Sequence, residues 1–242
     1  MKQYIKISTI LVATVAGMWM AAASSFAHYL WVEEIDSKYA VCRGTIGERL
    51  DPYDPPRVTE ISAVTDEGTE IAITRKDEKS QAVFTAAQKP ALAAVVAQWG
   101  DRVNTTRGKK LMSRKKAEAE GLTVISAFTS TQYSKTLLAP AGINTQPLGM
   151  KLELVPMADP AKLTIGAPMN FKLLFDNSPL AGMSILTNHD QESVTNADGV
   201  AEMIFEKSGV HLLYVTHQIP ANKDSGLDFF KFMTFLTFEV KE

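Results

Sequence analysis

Apolar and polar positions along this chain alternate in short runs, and glycine, proline, asparagine and aspartate separate them. That rhythm predicts strands joined by turns. Tyr29 to Val32 and Lys38 to Arg43 read as the first two strands. Gly44, Gly47 and the cluster Asp51-Pro52-Tyr53-Asp54-Pro55-Pro56 then break the pattern. Two consecutive prolines do not sit inside a central strand, so this is a loop. Its acids are candidates for holding a cation, although loop acids are more often simply solvated. Val58 to Val64 alternates, Asp66-Glu67-Gly68 is turn chemistry, and Glu70 to Arg75 alternates again with Ile71 and Ile73 on one face. Together they predict a hairpin. Gln81 to Ala86 reads as a strand. Ala91 to Trp99 is apolar without a clear period; Val95, Val96 and the neighbouring strands favour a strand over a short helix.

The character changes between Gly100 and Gly121. Arg102, Arg107, Lys109, Lys110, Arg114, Lys115 and Lys116 make this the basic part of the chain. Lys109 to Glu120 holds good helix formers with a thin apolar side, and Gly121 fits the C-cap, so a helical excursion is expected over 109–121. Ile125 to Leu138 resumes apolar content. Pro140 to Pro147 reads as a linker, which places a β-rich N-terminal domain at 28–139 and a second domain at 148–242. The second half has the spacing of a small Ig- or prealbumin-like sandwich. Its strands are expected at Leu148–Val155, Met169–Phe175, Met183–Thr187, Ala201–Phe205, Val210–His217 and Phe229–Val240, with a strong turn at Asn196-Ala197-Asp198-Gly199. The expected fold is therefore mainly β: two β-sandwich-like parts with one short helix in the first.

Residues 1–27 read as a secretory signal peptide. Lys2 and Lys6 open it, Ile7 to Ala23 is an apolar body, and small residues lead to Ser25-x-Ala27. A cut after Ala27 leaves His28 as the first residue, a cut after Ala23 leaves it internal, and an uncleaved anchor helix is the other alternative. Cleavage implies a periplasmic protein, and with no cysteine at the cut no lipid anchor is expected. The chain has 242 residues, 45% hydrophobic and 21% charged, with net charge −2. Without the leader, 23 basic residues face 27 acidic ones, a balance of −4. A mildly acidic exported protein is a poor partner for nucleic acid. The lone Cys42 makes no internal disulfide and reads as a small buried strand residue.

Several phrases together carry a family resemblance. They are Leu152-Glu153-Leu154-Val155-Pro156, Leu174-Phe175-Asp176 with Pro179-Leu180-Ala181-Gly182, Asn196-Ala197-Asp198-Gly199, Gly209 to His217, and Leu236-Thr237-Phe238-Glu239. In the first half, Ala27-His28 with Trp31, Thr105-Thr106-x-Gly108 with Lys115-Lys116, and Tyr133-Ser134-Lys135-Thr136-Leu137 join them. In this order they resemble the NikM-like family of exported bacterial proteins, a domain of unknown function linked to nickel and cobalt uptake. The resemblance implies two β-rich parts, the second like the prealbumin or carboxypeptidase-regulatory sandwich. It also implies a periplasmic home and a transition metal, with a membrane metal importer as partner. The chain departs from that pattern at His211, where an aromatic is expected, and at Lys109, where a tryptophan is expected.

The histidines are the candidate ligands. As residue one, His28 offers an α-amine and a ring nitrogen that close a six-membered chelate. The amine is partly unprotonated near neutrality, with a reference pKa of about 8. Such nitrogen ligands suit copper or nickel. His217, at a strand end before the loop 218–227, is the second candidate, and Asp228 after that loop is the third. His211 sits on the same strand face as His217 but about 20 Å away at roughly 3.3 Å per residue, so the two cannot share an ion. His211 reads as a packing residue and His189 as a turn residue. Met157, Met183 and Met203 read as core. No G-x-S-x-G elbow, phosphate loop or H-E-x-x-H pair occurs, so no enzyme is expected. The expected function is binding of divalent nickel, cobalt or copper, or assistance to its uptake. The alternative is a non-catalytic sandwich that binds a protein or glycan at the cell envelope.

Overall fold

The computed structural model describes residues 28–241. The expected signal peptide at 1–27 lies outside the described residues. In chain order the strands are β1 (Tyr29–Ile35), β2 (Lys38–Thr45), β3 (Arg49–Leu50), β4 (Val58–Val64), β5 (Ile73–Asp77), β6 (Ala82–Ala86), β7 (Leu92–Thr105) and β8 (Gly108–Lys110). The short helix α1 (Arg114–Ala119) follows, then β9 (Val124–Leu137), β10 (Leu152–Pro156), β11 (Pro168–Phe175), β12 (Ser178–Pro179) and β13 (Ser184–Thr187). The chain closes with β14 (Glu192–Val194), β15 (Val200–Ile204), β16 (Gly209–Pro220) and β17 (Phe229–Val240).

These strands form three layers. The central sheet runs β14-β13-β16-β17-β9-β7-β4, with β8 on β7. One outer sheet is β1-β2-β6-β5 with β3; the other is β10-β11-β12 with β15 on β11. Each outer sheet covers one face of the central one. Leu30, Val41 and Phe84 pack against Val95, Leu212 and Phe235 on the first face. Leu154, Phe171 and Met203 pack against Leu213, Phe232 and Leu236 on the second. A strand buried on both faces has no polar side, and this is why Phe229–Val240 carries apolar residues on both faces. Burying each Leu or Phe on either face contributes about 1.5–3 kcal/mol.

The boundary expected at 140–147 falls between strands that the central sheet joins. β9, before it, pairs in parallel with β17, after it, over nine residue pairs. The segment itself is held in place. Buried Asn144 donates to the Ala139 carbonyl at 3.0 Å and to Asp159 at 3.1 Å. The sharpest tie is a buried ion pair. Lys135 Nζ of β9 meets Glu153 Oε1 of β10 at 2.8 Å, with side chains 1% and 0% exposed. Glu153 also accepts the backbone N–H groups of Leu148, Gly149 and Met150 at 2.7, 3.0 and 3.1 Å. Burial pushes the Lys135 pKa down, and the charge and hydrogen bond of Glu153 offset this only in part.

Local expectations differ in three places. The turn at 66–68 forms, with Ile71 N–H donating to Ala63, but the predicted hairpin ends there. β4 pairs with β7 and β5 pairs with β6, so the two strands lie in different sheets and face the same first core, Ala63 from one side and Ile73 from the other. The helical excursion is shorter than 109–121: Gly108–Lys110 pairs with β7, and the helix begins after its Ser113 cap. It ends in paired bonds from Gly121 to Glu118 and from Leu122 to Ala117, with Gly121 at φ 73°. That is the left-handed end for which glycine is suited. β10 starts at Leu152 rather than Leu148, because the backbone of 148–150 donates to Glu153 instead of a strand.

Candidate functional site at the start of the first sheet

His28 stands just before β1, and Asp51 just after β3. Both reach the same end of β2, where Gly44 is registered with Tyr29 on one side and with Leu50 on the other. Gly44 has φ 141°, and a Cβ there would lie 2.0 Å from the Arg49 carbonyl oxygen. Only glycine lets β3 come this close. Asp51 N–H then donates to the Arg43 carbonyl at 2.7 Å, which fixes its position.

The result is a direct contact between His28 Nδ1 and Asp51 Oδ2. The other carboxylate oxygen takes Arg49 Nε at 2.9 Å. Burial raises the Asp51 pKa, but the hydrogen bond and charge of His28, with the charges of Arg49 and Arg43, more than reverse this and hold it below its ordinary value. His28 is 41% exposed and Asp51 16%, so the pair is open to solvent at the histidine. Nδ1 is the ring nitrogen that would share a six-membered chelate with an α-amine on the same residue. The carboxylate therefore lies against the ring nitrogen that such a chelate would use.

The other candidates stand elsewhere. His217 is registered opposite Phe232, which lies in the second core, so it is on the far face of the central sheet from His28. Its ring packs edge-on to Phe175, 4.7 Å between centroids, and burial lowers its pKa. Asp228 is engaged as a clamp, accepting from Arg114 Nη2 and from the Ala127 N–H, each at 2.6 Å. The structure does not bring His28, His217 and Asp228 together. Among the described residues, no group of three or more His, Cys, Asp and Glu side chains is placed to hold a metal ion.

His211 is buried among Phe205 and Phe238, and its Nε2 meets the Lys207 carbonyl at 2.8 Å. His189 lies edge-on to it at 4.9 Å. Burial pushes the Cys42 thiol up to about 12, with Glu33 beside it adding to the rise, which makes it a poor nucleophile. A second concavity, about 680 Å³, opens along β4. Glu60, Arg75, Gln98, Tyr133 and Lys151 line it, and the 148–150 backbone held by Glu153 forms one wall. Asp51 is one of the loop acids the sequence marks as cation candidates, but no local pattern pairs it with His28; the two are 23 residues apart, and only β2 connects them. Nor does any local pattern pair Lys135 with Glu153, although both residues stand in the phrases that carry the resemblance.

A family model described as a domain of unknown function, DUF4198, matches residues 25–219. No curated protein matches the chain. Among the described residues no helix is long and apolar enough to cross a membrane.

Proposed function

The chain belongs to this DUF4198 family, whose description assigns no activity, and on that premise we propose that it binds one divalent transition metal ion, nickel, cobalt or copper, at His28. The reading includes a periplasmic location after export and a role in supplying a membrane importer; the resemblance to NikM-like proteins supports both. The observation that carries it is the contact of His28 Nδ1 with Asp51. The α-amine, Nδ1 and the carboxylate make a three-donor set of the nitrogen-and-oxygen kind that nickel and copper accept. Arg49 competes for the same carboxylate, so the site holds an ion without being a closed cage. The role is binding, not catalysis.

The test compares two forms by calorimetric titration with nickel, cobalt and copper. One begins at His28; the other begins at Ser24, which carries the same histidine without its free amine. Binding by the first and at least tenfold weaker binding by the second, with a further loss in Asp51→Asn, is the expected result. Equal affinity in both forms, or no binding by the first, overturns the proposal. The cleft along β4 favours a second reading, a non-catalytic module that takes a protein or glycan of the cell envelope there.

A further inference from the structure

The mouth of the first sandwich, beyond the apolar contacts of β7 with the outer sheet, is lined by cations. Arg43 follows Tyr39 and Val41 on the inward face of β2, and its guanidinium lies 4.8 Å over the ring of Trp99. Arg57 reaches the same strand: a Cβ on Gly100 would meet its Nη1 at 2.7 Å. The bulge between Gln98 and Asp101 returns Arg102 to the face of Trp99, opposite Phe128 of β9. Lys231 of β17 is registered with Ser130, two residues from Phe128 on that face. Lys109 of β8 is registered with Asn104, two residues beyond Arg102.

Among the described residues, Arg43, Arg102, Lys109 and Lys231 make no ion pair or side-chain hydrogen bond with a carboxylate. Asp51 is the acid whose charge acts on Arg43, and His28 and Arg49 already engage it. Asp54 lies 3.9 Å from Arg57. Gathering unpaired like charges on a half-buried surface is unfavourable unless something offsets it. Burial, then the charge of Arg57, lowers the pKa of Arg102; burial, then the charges of Lys109 and Arg102, lowers that of Lys231; and burial with the neighbouring arginines outweighs Asp51 to lower that of Arg43.

A second observation is independent of charge. Trp99 is 5% exposed, and its indole Nε1 is buried with no hydrogen-bond partner. The Arg43 Nε beside it is also buried and unpartnered. Buried N–H donors without acceptors are uncommon and costly, about 1–3 kcal/mol each. Two of them, stacked together at the edge of a cationic basin, lack the one thing an oxyanion supplies.

We infer that this mouth is an anion site that takes a phosphate group, with Trp99 and Arg43 donating to its oxygens and Arg102, Lys231 and Lys109 neutralising its charge. It uses neither His28 nor Asp51 as a donor, so it does not rest on the metal reading. A phosphate group carries one charge as a diester and up to about two when free, with several acceptor oxygens, which matches these cations and donors better than chloride or a single carboxylate. The group can arrive free or as a lipid headgroup.

The experiment follows tryptophan fluorescence of the protein beginning at His28, in which Trp31 and Trp99 remain. It is titrated with inorganic phosphate at constant ionic strength, with sodium chloride as reference. In parallel it is sedimented with phosphatidylglycerol vesicles and with phosphatidylcholine vesicles. The variants are Arg102→Gln and Lys231→Gln at the mouth and Lys115→Gln on α1 as control. Saturable phosphate binding, at least tenfold weaker in Arg102→Gln and Lys231→Gln and unchanged in Lys115→Gln, supports the site for a free anion. Co-sedimentation with phosphatidylglycerol alone, lost in the same two variants, supports it for a headgroup. Absence of both, or binding that the mouth variants leave unchanged, overturns it.

Discussion

Replacing Glu153 by glutamine probes the joint between the two halves of the fold. The wild-type carboxylate does two jobs at once. It neutralises Lys135, whose side chain is 1% exposed, and it accepts three consecutive backbone N–H groups at 148–150. Glutamine keeps the volume, removes the charge and turns one acceptor oxygen into a donor. Lys135 is then left without a countercharge, beside the neutral Gln146 carbonyl at 3.3 Å. At least one backbone N–H also loses its acceptor. Breaking a buried pair by removing one partner costs about 3–5 kcal/mol. Against a total stability of roughly 5–15 kcal/mol this is a large share. With a urea m-value near the top of the usual range, about 1–3 kcal/mol/M, the midpoint should fall by roughly 1–2 M. Lys135→Met should cost less, because the three backbone donors still hold the carboxylate. The double variant Lys135→Met, Glu153→Gln should cost less than the sum of the two, since both remove one interaction. Equilibrium urea unfolding followed by far-UV circular dichroism measures all three. A Glu153→Gln midpoint within the error of wild type, or strict additivity in the double variant, would refute the claim that this pair secures the joint.

Two further outcomes follow from the same geometry. Gly44→Ala forces a Cβ against the Arg49 carbonyl at φ 141°, so it should cost at least ~2 kcal/mol. By displacing β3 it should also weaken metal binding at His28, as thermal melting and the nickel titration together will show; a stable variant with unaltered affinity contradicts the role given to Gly44. His211 is held below its ordinary 6.5 by burial, opposed by the Lys207 carbonyl and joined by His189. The unfolded chain therefore binds the proton first, so stability is full above pH 6.5 and declines as the pH falls below it, by at most about 1.4 kcal/mol per unit. His217, also lowered by burial, adds in the same direction. Urea midpoints between pH 5 and 7 should flatten in His211→Gln; an equally steep profile contradicts the assignment.

Much of the β content is legible in the residues because alternation and turn chemistry act over a few positions. Val58–Val64 and Phe229–Val240 coincide with β4 and β17, and the short helix ends at Gly121, whose positive φ ends the last turn. Side-chain chemistry likewise singles out His28 and the acids of the following loop before any contact is known. Pairing is another matter. A strand's sequence states which faces are apolar but not which distant strand will share its edge. Phe229–Val240 is apolar on both faces; only the tertiary structure decides that it lies between two cores, beside β9 in parallel. That pairing joins the halves which Pro140–Pro147 marks as separable. The same holds for the sites. Asp51 meets His28, Lys135 meets Glu153, and Arg43 stacks on Trp99 across separations that no local pattern spans. The backbone groups and charges there are satisfied by whatever the folded sheets bring within reach, a condition that the finished packing sets and a linear reading does not contain.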